Sequence, residues 1–342
     1  MLAPRPALTI RREDDRLAAT TTGNAIAVPA EERLAPAEVS RVAVTWHRFS
    51  RHRTGLIAIM VLLFLITSAI VVPVISPFDP EYSSIAQLNS PAGTVDEATG
   101  HLHILGTDSI GKDFFVRLFY ASRTSLLVVF VATICIVALG AALGALAGYY
   151  GGWVDNVLMR LTDFMLSLPL IPLYIFSIRF IRTSAQDYIG SVGSIALLFI
   201  LFNWMGISRL VRGSILSLRG QSFIEAATAL GASPRQIIFK HLLPNSFPPV
   251  LVAATFVAGD LIIWESILAY FGQGISEPPS VSWGNLLAGA QDQIWYFTNL
   301  NPFQEIRGYF IIMPALLIMA TVLSINYIGD ALRDALDPHR AT

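Results

Sequence analysis

Residues Gly106 to Asp113 read GTDSIGKD, one residue short of a phosphate-binding loop, whose pattern is Gly, four residues, Gly-Lys and then Ser or Thr. Asp113 occupies that last position. A carboxylate there repels phosphate and offers magnesium no hydroxyl, so nucleotide is not expected to bind. If ATP drives this protein, another chain holds it. His101 and His103 alternate in HLHILG as a metal pair can. With no cysteine nearby and only scattered acids they are too few for a site, and no metal is expected. The other histidines are His47, His52, His241 and His339. None stands in mid-membrane beside a Ser or Asp, as an intramembrane hydrolase requires. The chain is therefore not expected to be an enzyme or to bind a cofactor.

Ionisable residues inside apolar runs are functional candidates by default. Arg160 and Asp163 stand three apart, on one helix face, and are expected to pair with each other. Asp260 and Glu265 fall in the middle and outer half of another apolar run and have no basic neighbour at helical spacing. They are expected either to face a water-filled path or to bond to another subunit. The single cysteine, Cys135, lies in an apolar run and reads as a packed side chain.

These residues must be positioned by membrane helices. The 342 residues are 54% hydrophobic and 14% charged, with a mean hydropathy of +0.59, whereas a soluble domain carries roughly 25% charged residues. The net charge of −1 supplies no basic field for nucleic acid. Six apolar segments, 55–76, 122–149, 158–181, 191–210, 247–271 and 307–330, reach the roughly 20 residues needed to span a bilayer. The expected class is thus all-α, a polytopic protein with six transmembrane helices. Residues 1–40 read as a disordered tail, and 41–54, with Trp46, Phe49 and a cluster of arginines, as an amphipathic helix lying on the membrane. The first span and an outer loop cover 55–121, a five-helix core covers 122–330, and 331–342 form a tail. Gly140, Gly144 and Gly148 repeat every four residues along one face of the second span, which allows close helix packing.

Orientation follows from the basic residues that flank the spans. One side carries Arg41, Arg48, Arg51, Arg53, Arg160, Arg209, Arg212, Arg219, Arg235, Lys240, Arg333 and Arg340; the other carries Lys112, Arg117, Arg123, Arg179, Arg182 and Arg307. Both termini and the 211–246 loop are expected in the cytosol, with Arg179 and Arg182 against the trend.

Within that loop, Ser222 and Glu225 fit a capping box, and Gly231 suits a left-handed helix stop. Ser233, Pro234 and Gln236 open a second helix that is expected to end at Leu243, before Pro244. Two short helices joined at a fixed angle resemble a DNA-reading motif in outline. A loop of about 35 residues tethered at both ends, with no third helix, does not suit that role. Ala226, Ala227, Ala229 and Ala232 instead let a protein surface approach closely.

The stretch EAATALGASPRQIIFKHLLPN resembles the EAA loop of ABC importer permeases, whose pattern is E-A-A, three residues, G, nine residues, then I-x-L-P. Glu225, Ala226, Ala227, Gly231, Leu243 and Pro244 match it. His241 replaces the isoleucine, in the H-x-L-P-N form typical of the peptide and nickel branch. LGTDSIGKDFFVRLFYASRTSL is similar to that branch's G-T-D-x-x-G-R-D signature, with Lys112 in place of Arg, and GYYGGWVDNVLMRLTDFMLSLP, PPSVSWGN and GDALRDALDP are similar to it as well. The likeness, to DppC/OppC-like dipeptide and oligopeptide permeases, covers about residues 40–338. It implies a type I importer permease fold, a paralogous second permease, two ATPase subunits that bind ATP and magnesium, and an extracytoplasmic binding protein. It implies further that the EAA helices dock on the ATPases and that the cargo is a short peptide. Nickel chelates, oligosaccharides or another solute remain open as cargo. A different class, an ion-coupled secondary transporter, would use Asp260 and Glu265 as a relay. It has no use for the EAA loop, and matched broken helices are not visible in the sequence.

Overall fold

Apolar runs become long helices because in hydrocarbon each backbone N–H and C=O must be satisfied within its own segment. A computed structural model describes residues 41–275, 280–291 and 308–336; the tail expected over 1–40 lies outside them. Helix α1 (Arg41–Phe49) precedes α2 (Arg53–Ile75), whose first turn is capped by His52 accepting from the Gly55 N–H at 3.4 Å. Trp46 is 65% exposed, as an interfacial residue should be, but Phe49 is buried against Ala331 and Ala335. The basic stretch is thereby stapled to the last helix as well as facing outward.

Five described helices are long and apolar enough to cross a membrane: α2, α3 (Phe114–Tyr150), α5 (Leu170–Arg219), the rod Pro234–Tyr270 and α10 (Tyr309–Leu336). The 50-residue α5 contains Gly190 at φ 67° and ψ 177°, so it is two helices meeting at a kink, and six crossings are consistent with this arrangement. Several bounds shift from those expected. Helix α3 begins at Phe114, the fourth crossing runs on to Arg219, and the last helix continues to Leu336. The segment 158–181 is not one helix. Helix α4 (Gly152–Ser167) stops ahead of Pro169, and α5 starts at Leu170. Proline offers no N–H to the helical ladder and pushes the residue before it out of helical geometry; Leu168 sits at ψ 140°.

The main packing interface joins α3 to α5. A Cβ added at Gly144 would collide with the Ser208 carbonyl oxygen, and one at Gly140 would lie 2.8 Å from that of Trp204. At Gly148 it would lie 3.0 Å from Ile215. Only glycine permits this approach, which brings Ile136, Ile195, Leu198, Phe199 and Val211 into one core.

On the side opposite the 220–242 loop, residues 77–113 form a small folded cap, with a two-stranded antiparallel ribbon of β1 (Thr94–Val95) and β2 (Leu102–His103) added to the helical plan. The phosphate-loop look-alike is structural here. Asp108 accepts from the N–H groups of Ile110 and Lys112 at 3.0 and 2.9 Å and pairs with Arg117. Asp113 caps α3 by accepting from the Val116 N–H at 2.8 Å. His103 is wholly buried, its Nδ1 2.7 Å from Asp113 and its Nε2 3.5 Å from Asp96, with Phe78 stacked on it.

Candidate functional site

After Arg219 the chain turns through Gly220 and Gln221 into α6 (Ser222–Ala229). Gln221, extended at φ −82° and ψ 142°, takes the position ahead of the helix and makes no side-chain cap. The expected Ser222–Glu225 box therefore does not form: Ser222 is already the first helical residue, and the Glu225 N–H donates to the Gln221 carbonyl. A side chain reaches the free N–H groups of a first turn only from the extended residue before it. Glu225 is left exposed, with Ala226 beside it.

Gly231 adopts φ 82°, the left-handed geometry that reverses a chain at a helix end; Gly231 and Ala232 donate to the carbonyls of Thr228 and Ala227. Ser233 then caps the next element reciprocally, accepting from the Gln236 N–H while the Gln236 side chain accepts from its own N–H at 2.8 Å.

The second helix does not end at Leu243. Helix α7 (Pro234–Gln236) passes through a π-wound turn, Ile237–Leu242, directly into α8 (Leu243–Tyr270). The wide turn carries the ladder across by an i→i+5 bond, Leu243 N–H to Ile238 carbonyl. Pro244 then falls in the opening turn of α8, where a missing N–H is tolerated. His241 is half-buried within this turn, and its carbonyl accepts from the Asn245 side chain at 2.6 Å. The loop and the next crossing are consequently one rod of 37 residues, Pro234–Tyr270.

One face of the loop is buried, with Ile224, Ile237 and Leu242 joining the core. The opposite face displays Phe223, Leu230 and Phe239 at 42%, 89% and 70% exposure. Sequence reasoning missed these three, because an apolar residue in a short helix reveals its side only once the rotation of that helix is fixed.

The ionisable residues of the spans sort differently from expectation. Asp163 pairs with Arg209 of α5 across a helix contact, not with Arg160 on its own helix, and Asp155 pairs in the same way with Arg212. Glu265, left open by the sequence to water or to another subunit, is entirely enclosed by this chain. It lies beneath the start of α9 (Trp283–Gly289), near the Ser282 hydroxyl and the Gly284 N–H, neither at full hydrogen-bond geometry. Trp283 pins α9 to α3 through its N–H to Ser125 and its indole to the Leu118 carbonyl, each at 3.2 Å. Asp260 is exposed on α8. Arg182, against the charge trend in sequence, donates to the carbonyls of Gln273 and Gly274 at the far end of α8.

Residues 140–342 match the family described as binding-protein-dependent transport system inner membrane component, more than half of the chain. The chain belongs to this family. A further match, to the N-terminal TM domain of oligopeptide transport permease C, covers residues 40–92 of this transport component. The oligopeptide transport system permease protein OppC of Haemophilus influenzae is 35% identical over 85% of this chain and 86% of its own. The dipeptide transport system permease protein DppC of Alkalihalophilus pseudofirmus is 36% identical over 81% and 84%. The glutathione transport system permease protein GsiD of Pectobacterium atrosepticum is 33% identical over 86% and 89%. A solved chain of the MetNI methionine ABC transporter is similar at a TM-score of 0.47 and 22% identity, covering 64% of this chain and 96% of that one.

Proposed function

We propose that this transport component is the permease subunit of an ATP-driven importer of di- and oligopeptides. With a paralogous second permease it encloses the path. Two ATPase subunits, which bind ATP and magnesium, dock on the 211–246 loop at the cytosolic face, where both termini lie. A binding protein delivers cargo to the opposite face. The peptide assignment rests on relatives named for oligopeptide, dipeptide and glutathione transport.

The observation that carries the coupling role is the shape of the loop. An apolar tip, Leu230, stands 89% exposed beside the left-handed Gly231, at one end of a rod that continues into α8. An exposed leucine on a wet loop suits a protein groove. A push on the tip crosses the Gly231 turn, which the Ser233–Gln236 capping box fixes against the rod, and then passes along the rod into the fifth crossing. Glu225, exposed on the same loop, is a contact for the ATPase and not a cap.

Replacing Gly231 with isoleucine tests this. A β-branched residue at φ 82° is strongly disfavoured, so the tip must re-form. With the partner subunits co-expressed, uptake of a labelled tripeptide is expected to fall at least tenfold while the amount of membrane-inserted protein is unchanged. Normal uptake in that variant refutes the lever.

A further inference from the structure

The break between α4 and α5 and the exposed acid of α8, Asp260, lie at one depth. Tyr174 of α5 packs against Trp264 of α8 with ring centroids 5.4 Å apart. Two turns further on, Arg182 of α5 donates to the Gln273 carbonyl at 3.0 Å. The two contacts pair residues 90 and 91 apart, so the helices run parallel in steady register, and Asp260 is level with Pro169 and Leu170. That level is ten residues inside the end of α8 at Tyr270. At 1.5 Å per residue this is about 15 Å, the middle of a core of about 30 Å.

Neither feature suits lipid. Asp260 is exposed, and among the described residues no Lys or Arg forms an ion pair with it. Ser167 and Pro169 are exposed too, at a point where the ladder is interrupted. Pro169 donates nothing to α4, and Pro172, four residues after Leu168, cannot donate to that residue's carbonyl. Irregular backbone at membrane depth is tolerated only inside protein or along a watery cavity. The negative charge is that of the Asp260 carboxylate; the break joins the C-terminal end of α4 to the N-terminal end of α5, so it adds unsatisfied polar groups without a net sign. Phe256 and Ile263, one turn either side of Asp260, are exposed on the same stripe at 40% and 42%.

We propose that Asp260 and the Ser167–Pro169 break form a polar station at mid-membrane in the passage wall, which receives a primary ammonium group of the cargo. Phe256 and Ile263 would give the neighbouring side chains an unselective apolar surface. The identity of the ammonium as a peptide's rests on the proposed function; the water-lined, cation-favouring wall does not.

The test uses the assembled complex in membranes, with Cys135→Ser as background. Ser167→Cys is expected to react with a membrane-impermeant cationic thiol reagent at least tenfold faster than with an anionic one of equal size. Adding Asp260→Asn should abolish that preference and Asp260→Glu should keep it. Phe64→Cys, in the middle of α2, should stay unreactive. A Ser167→Cys variant as inert as the Phe64→Cys control, or a charge preference unchanged by Asp260→Asn, overturns the station. For cargo, wild-type uptake of a lysine-free tripeptide is compared with its N-acetyl form and with an N-acetyl form containing lysine. Asp260→Asn should lower discrimination between the first two at least fivefold relative to wild type. Recovery with the lysine form marks any primary amine as sufficient, whereas unaltered discrimination in Asp260→Asn overturns ammonium recognition. Absence of all peptide uptake in wild type defeats the peptide reading alone, because the reagent preference is read without cargo.

Discussion

Asp163 was within reach of Arg160 on its own helix, yet its partner is Arg209, forty-six residues away. Which basic residue a carboxylate meets is set by how neighbouring helices are rotated against each other, and here that rotation brings Arg209 to Asp163. Packing likewise makes His103 a structural residue, buried between Asp96 and Asp113. Burial alone would raise the Asp96 carboxyl, but donors from Thr99, Ala98 and His103 outweigh it and hold the group below the usual carboxylate range. A lowered folded-state pKa contributes stability that is present above the unfolded carboxylate value and lost as pH falls through the folded one. Acidification below about pH 4 should therefore loosen the cap. Hydrogen exchange at the amides of Thr94 to His103 is expected to accelerate there in wild type, and an Asp96→Asn variant should exchange faster at neutral pH with a flatter acid response.

The 211–246 loop, proposed above to meet the ATPases, depends on how its elements end. Gln221, not Ser222, precedes α6, so Ser222→Ala should leave helix stability nearly unchanged, whereas Ser233→Ala removes a formed capping box and costs about 1 kcal/mol locally. Hydrogen exchange across 222–243 separates the two: opening should quicken about fivefold for Ser233→Ala only. Leu230→Asp, by contrast, changes nothing the loop packs against, since Leu230 faces outward. It should leave the fold intact and uncouple peptide uptake from ATP hydrolysis in the reconstituted complex. Uptake at the wild-type rate would remove Leu230 from the docking face.

For the molecule as a whole, the α3–α5 contact is the scaffold against which the other helices are set. With no hydrophobic driving force between helices in lipid, close backbone approach and van der Waals contact hold them together. Gly144→Leu must push side-chain atoms into the Ser208 carbonyl, which an added Cβ alone would already strike. Overpacking of this kind costs about 3 kcal/mol, and the detergent-solubilised protein is expected to melt several degrees lower. Gly206→Leu, on the same α5 but with nothing within 4 Å of an added Cβ, should behave as wild type.

Much of this was legible in residue order. Apolar runs of membrane length give helices wherever they occur, because the bilayer leaves the backbone no alternative. Gly231 and the Ser233–Gln236 box could be read because turns and caps are decided by neighbours three or four residues apart. What sequence could not supply was everything set by rotation and register between helices: the partner of Asp163, the enclosure of Glu265 under α9, and the outward side of Leu230. Pro244 is the sharpest case. Its local rule says stop, yet a π turn just ahead of it moves the proline into an opening turn and lets the rod continue. Local rules fix where a helix can begin or break, while the packing of Ile237 and Leu242 into a shared core favours one continuous rod from loop to membrane.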